Sequence, residues 1–291
     1  MSILRLRVLP DASVQIPGAR RKPWNLIIGA ALVGLIVSGA LLSYLWTPYD
    51  PTAMWAGQAL EGPSVNHILG TDNFGRDVLS RLMFGARSAL LVGVLTVTVA
   101  MLIGIPLGGL AAARGGWVDE VLMRISDVIF ALPAVVLAIL LITITGPGLL
   151  AAMVAIGIAY TPIVARTTRG AAMQVLERGF VAAARTYGRK SIFIYVRHAL
   201  PNISAVITVQ ATVLFAYALL AEAGLSYLGL GAQPPTPSWG AMLREGQTFA
   251  SIAPGLAIWP GLAIMGGVMG FNLLGDGLRD RFDPRMRRNK R

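Results

Sequence analysis

The chain has 291 residues, of which 55% are hydrophobic and 13% charged, with a mean hydropathy of +0.65. Soluble domains carry about a quarter of their residues charged, so this composition excludes an ordinary soluble domain, and it equally excludes a disordered or collagen-like chain. The absence of cysteine removes a disulfide-stapled secreted fold, thiol catalysis, iron–sulfur clusters and Cys-ligated zinc, and the net charge of +11 raises nucleic-acid binding only until the charges are located.

Residues 24–46 form a 23-residue run without charge, bounded by Trp24 and Trp46 and preceded by Arg20, Arg21 and Lys22. That length crosses a membrane with some tilt, and the apolar run is too long and too far from the N-terminus for a cleaved leader, so a retained signal-anchor helix is expected. A polar loop over residues 47–85 follows. Five more charge-free runs come next, at about 89–112, 128–145, 149–164, 203–221 and 257–274, making six expected spans. Gly146-Pro147-Gly148 marks a tight turn between the third and fourth, while Pro254 and Pro260 blur the start of the last.

With the N-terminus taken as cytoplasmic, the arm 1–23 holds five positive residues and the loop after the second span two. The loop 166–200 holds seven and the tail after Asp276 seven more, so 21 of the 25 Lys and Arg lie inside. Only Arg76, Arg81, Arg87 and Arg244 lie outside. This asymmetry orients a membrane protein with both termini in the cytoplasm, and no nucleic-acid partner is expected.

Two loops carry more pattern than a linker needs. Inside, residues 177–187 read as a short helix with Phe180, Val181, Ala184 and Tyr187 on one apolar face. Ala182-Ala183-Ala184 keeps another side thin, Gly188 supplies the stop, and Pro201 restarts the chain as the fifth span. Such a helix suits lipid headgroups, through Arg178, Arg185, Arg189 and Lys190, as well as it suits a protein partner. Outside, the segment from Gln233-Pro234-Pro235 to Trp239 could serve as an extended connector, but its interleaved Leu and Trp side chains suggest instead a structured cap packed on the outer helix ends.

Glu222 and Asp276 fall at span ends and are expected to reach water, and Asp127 is expected to pair with Arg124 three residues earlier. No carboxylate lies mid-span, which argues against proton-coupled secondary transport. His67 and His198 are on opposite sides of the membrane and cannot share a metal, so His67 is assigned to the packed outer loop. G-x-x-x-G occurs at 104–108 and 266–270, allowing close helix approach. No P-loop, H-E-x-x-H or G-x-S-x-G is present, so neither nucleotide hydrolysis nor another catalytic function is expected of this chain.

The Ala182-Ala183-Ala184, Gly188, Leu200-Pro201 series resembles the "EAA" coupling loop of ABC-importer permeases. The outer segment from Pro63 to Arg81, with His67, Gly70, Thr71, Asp72, Gly75, Arg76 and Asp77, resembles that of the C-type permeases of dipeptide, oligopeptide and nickel importers. Gly116-Trp117-Val118-Asp119-Glu120, the run from Glu222 through Gly231 to Gln233, Pro234, Pro235 and Trp239, and the run from Asn272 to Asp280 agree with it. The likeness spans about residues 24–285. It implies an all-α integral membrane protein with six transmembrane helices in the ABC type I importer fold. The implied organisation is an arm at 1–23, a first helix at 24–46, a periplasmic loop at 47–85, a permease core at 86–276 with a coupling loop at 166–200, and a basic tail at 277–291.

The resemblance further implies a multi-pass protein of the bacterial inner membrane, bound to lipid and paired with a second homologous permease as a heterodimer. Two cytoplasmic ATPase subunits that use ATP and magnesium, and an extracytoplasmic solute-binding protein, complete the implied importer. The cargo implied is di- and oligopeptides, with nickel or another small solute as the alternative; a secondary transporter is the remoter one. Glu177, Phe180, Val181, Ala182, Ala183, Ala184, Tyr187 and Gly188 would couple to the ATPase, and no cofactor is expected on this chain. One departure stands out: Ala182 occupies the position of the acidic residue that names the loop.

Overall fold

The computed structural model describes residues 24–282, and within them the chain is helical apart from turns, loops and one isolated bridge. The arm 1–23 and the last nine residues of the basic tail lie outside the described residues. Helices α1 (Trp24–Leu45), α2 (Val78–Arg114), α5 (Leu149–Leu176), α8 (Leu200–Tyr227) and α10 (Gly255–Phe282) are long and apolar enough to cross a membrane. Helices α3 (Gly116–Phe130) and α4 (Ala134–Thr145) qualify only together and are bent by 85° at their junction. The six expected spans are therefore five continuous helices and one broken pair. The break falls within the expected third run, because Pro133 has no N–H to give and disfavours helix in the residue before it.

Shorter elements sit at the two ends. At one end, α6 (Gly179–Thr186) and α7 (Ser191–Ile194) precede a π-helical turn at Tyr195–Ala199 that runs directly into α8. The chain does not restart at Pro201; the helix passes through it, and the wide turn lies where the proline's missing N–H relaxes the ladder. The loop expected over 166–200 is largely helix, since α5 continues twelve residues past the apolar run to Leu176. At the opposite end, residues 46–77 and α9 (Trp239–Thr248) form a cap.

α2 packs along α5, α1 along α10, and α8 between α10 and α5. The expected G-x-x-x-G at 104–108 makes the first contact possible: a Cβ on Gly104 would stand 2.6 Å from Val164 Cβ, and one on Gly108 would strike the Ala165 carbonyl. The second motif works differently. Gly266 has nothing within 4 Å, whereas Gly267 meets Leu219 of α8 and Gly270 meets Leu32 and Val33 of α1. Gly108→Val is therefore expected to cost about 1–3 kcal/mol through overpacking, while Gly266→Val leaves stability unchanged. Thermal unfolding of the two variants in detergent checks the contrast, and equal losses would remove this account of the α2–α5 contact.

Candidate coupling and docking sites

Helix α6 is eight residues long, too short to persist without tertiary support. Its support is Val181, which is 0% exposed in a cluster with Ala113, Ala172, Val175, Leu176, Ile194, Tyr195, Ala199 and Ile203, with Ala184 packed beside it. The apolar face expected from spacing is thus divided. Val181 and Ala184 turn inward, while Phe180 and Tyr187 turn out, Tyr187 at 84% exposure. Ala182 and Ala183 are exposed as well, so the outward side is short, apolar and approachable.

The helix stops as the sequence requires. Gly188 has φ +73 and donates to Arg185 O at 2.9 Å, and Arg189 N donates to Ala184 O at 3.3 Å, the paired bonds of a Schellman cap. Glu177, expected inside this helix, instead caps α5, with its N–H on Met173 O. Glu177, Arg178, Ala182 and Arg185 line one open groove of about 430 Å3 together with Met173 and Leu176, so a carboxylate stands in the groove that Ala182 borders.

The platform beneath α6 is fixed by contacts that have no local sequence signature. Tyr195 donates its hydroxyl to Ile105 O at 3.1 Å, and its ring lies against Gly109, where no side chain would fit. Arg169 forms a two-pronged pair with Asp119, tying α5 to α3. Asp127 pairs with Arg166 of α5 at 2.8 Å and not with Arg124, because helix α3 turns its carboxylate toward its neighbour. His198 meets Phe180 and Phe193 edge-on, with both ring centroids at 6.3 Å, joining α6 to α7.

At the cap end the expected motif residues form one buried network. Asp77 caps α2: its Oδ2 accepts from Ser80 N at 2.8 Å and Ser80 Oγ at 2.7 Å, and its Oδ1 accepts from His67 Nδ1 at 3.0 Å. His67 lies under the Tyr49 ring, centroids 4.6 Å apart, as a packed loop residue. Asp72 accepts from Arg76 Nε at 2.6 Å and from Arg81, and both arginines reach Glu245 of α9 at 2.9 Å. Gly70 and Gly75 have φ of +79 and +69 and press on the Glu61 and Gly57 carbonyls, so glycine is required at both. Thr71 donates to Gln58 O and accepts from Glu61 N.

The segment from Gln233 to Trp239 is a cap and not a connector. Trp239 is buried, donates Nε1 to Leu82 O at 2.9 Å and fills the space beside Gly85. Ser238 caps α9, accepting from Ala241 N at 3.2 Å. Gln233 donates to the carbonyls of Gly229 and Gly231, while Pro234 and Pro235 stay exposed on the surface. Glu222, expected to reach water, is 2% exposed and accepts from Ser226 Oγ at 2.6 Å, because α9 and its leading turn cover the end of α8. Glu245 is the member of this network that pattern reading missed; it lies 164 residues from Arg81, and nothing local marks it.

Comparison with known proteins agrees with this architecture. Residues 104–288 match the family described as binding-protein-dependent transport system inner membrane component. The chain is 42% identical over 262 residues to the dipeptide transport system permease protein DppC of Alkalihalophilus pseudofirmus, covering 88% of this chain and 86% of that one. It is 41% identical over 290 residues to the glutathione transport system permease protein GsiD of Pectobacterium atrosepticum, covering 97% and 96%. With the di/tripeptide transport system permease protein DppC of Pseudomonas aeruginosa it shares 40% over 290 residues, covering 95% and 96%. Among solved structures, inward-facing conformations of the MetNI methionine ABC transporter superpose with a TM-score of 0.57 over 70% of this chain and 97% of that one, at 19% identity, a likeness of fold.

Proposed function

Because the chain belongs to the family of binding-protein-dependent transport system inner membrane components, and is thus a multi-pass, non-catalytic permease subunit of an ABC importer, we propose that it forms half of a translocation path for di- and oligopeptides. The dipeptide, glutathione and di/tripeptide relatives support that cargo. A second homologous permease supplies the other half of the path. Two cytoplasmic ATPase subunits hydrolyse ATP with magnesium, and an extracytoplasmic solute-binding protein delivers the peptide. Both termini and α6 lie in the cytoplasm, as the 21 positive residues on that side support. The permease core is residues 86–276.

The observation that carries the coupling role is the division of α6. One residue row, Val181 and Ala184, fastens it to the membrane helices, and the other, Phe180, Ala182, Ala183 and Tyr187, is left free for the ATPase. Closure of the ATPase pair then moves α6 as a rigid lever, and the arginine pairs to α3 pass the movement into the spans. At the other end, the locked network of His67, Asp72, Arg76, Asp77 and Arg81 holds a rigid cap that presents Trp55, Val65 and Ile68 to the binding protein.

Gly188→Val tests the lever. A β-branched residue in the left-handed region costs about 1–2 kcal/mol and reorients the exit of α6. In the reconstituted complex, dialanine uptake is expected to fall severalfold while the subunits still co-purify; unchanged uptake would sink the coupling role.

A further inference from the structure

Within the membrane-spanning region, the large side chains exposed on α2 are Leu91, Val94, Leu102 and Ile103, with Thr98 the one exposed hydroxyl among them. One edge of the bundle differs in that its polar groups pair between helices. α5 and α8 run antiparallel, and along their shared edge Tyr160 Oη stands 3.4 Å from Tyr217 O while Thr167 Oγ1 stands 3.5 Å from Gln210 Oε1. The two rungs are seven residues apart on each helix, so they are separated by about 10 Å and point the same way. Tyr160 and Tyr217 lie about 15 Å along their helices from the cap end, near the middle of a bilayer about 30 Å thick. Tyr217 is 45% exposed. Polar groups at that depth face protein or water, since lipid offers them no partner.

What lies on either side of the rungs sets their role. Toward the cap, α4 lays Ala138 and Ile142 across Ala152, Ile156, Ala221 and Leu225, an apolar closure one helical turn beyond the tyrosines, with Tyr160 packed against it. Away from the cap Thr167 and Gln210 are half-buried. The polar groups of this edge are all neutral, both bonds are long, and every one can exchange its present partner for another. Uncharged hydroxyl and amide groups suit the N–H and C=O groups of a peptide backbone and ignore its side chains.

We propose that Tyr160, Thr167, Gln210 and Tyr217 form a polar seam over which the backbone of the transported peptide passes, an inference that rests on the peptide-permease reading. The seam begins under the α4 closure and leads toward the α6 end. It replaces the peptide's water with weak, mobile hydrogen bonds at the depth where desolvation costs most, and it discriminates little between sequences.

The chain has no cysteine, so single substitutions report one site each. Tyr217→Cys, Gln210→Cys and the near-isosteric Thr167→Cys are placed in the complex with its permease partner, ATPases and binding protein, in proteoliposomes that import dialanine. Thiolate needs water, so all three are expected to react with a water-soluble maleimide about tenfold or more faster than Leu102→Cys. Turnover on dialanine is expected to slow that labelling severalfold. Labelling no faster than at Leu102→Cys, as when lipid or the second permease covers the edge, overturns the inference, and so does labelling indifferent to dialanine during import. A wild-type complex that imports no peptide removes the peptide reading and this inference with it, whereas import with unprotected sites removes the inference alone.

Discussion

Arg81→Ala is expected to destabilise the cap by about 3–5 kcal/mol, the cost of leaving buried carboxylates without a partner. Arg81 is 3% exposed, and it bridges Asp72 and Glu245, joining the loop between α1 and α2 to α9 across 164 residues of chain. The loss sits at the low end of that range, because Arg76 still contacts both carboxylates and Glu245 is 26% exposed. Arg81→Lys and Arg76→Lys separate charge from geometry. Arg81 uses only Nη1, and its Nε has no partner, so an ammonium keeps much of its role. Arg76 spans the two carboxylates with Nε and Nη2, which lysine cannot imitate. Thermal unfolding of the solubilised complex should therefore rank Arg81→Lys as the milder change. The opposite order would refute this division of labour, and a double cycle with Glu245→Ala measures the coupling directly.

Val181→Asp is expected to abolish uptake. Burying the valine contributes about 1.5–3 kcal/mol, and an unpaired carboxylate in its place costs several more, which exceeds anything an eight-residue helix supplies for itself. α6 would leave its site under Ala172 and Tyr195, and ATP hydrolysis would no longer move the spans. Val181→Ala serves as the graded control, losing part of the packing and part of the uptake. If Val181→Asp imported dialanine at the wild-type rate in an assembled complex, α6 could not be the lever.

Pattern reading went furthest where a single chemical rule dominates. Membrane helices need long apolar runs whatever their neighbours, so all six expected spans have counterparts in the structure, with only the third interrupted at Pro133. Gly188 was legible as a helix stop because left-handed backbone leaves few alternatives to glycine, while Gly70 and Gly75 entered as motif residues and prove to have positive φ as well. Asp77 before Val78 was legible as a motif residue, and its side chain proves to cap the helix that follows. Readings failed where a side chain had a choice of partners. Asp127 had Arg124 within reach along the chain and Arg166 across a helix contact, and spacing cannot tell which is nearer once helices pack. Glu222 lies near a helix end, yet whether an end meets water depends on what folds over it.

Span number, the basic asymmetry, the missing nucleotide motif and the family were determined by sequence alone, since each follows from local composition or from short motifs in order. The tertiary structure decided which face of α6 is buried, that Glu245 completes the arginine network, and that Tyr160 and Thr167 of α5 meet Tyr217 and Gln210 of α8 along one edge. Those facts are contacts between segments far apart in the chain. Periodicity places a residue on a face of its helix, and only packing determines what that face meets.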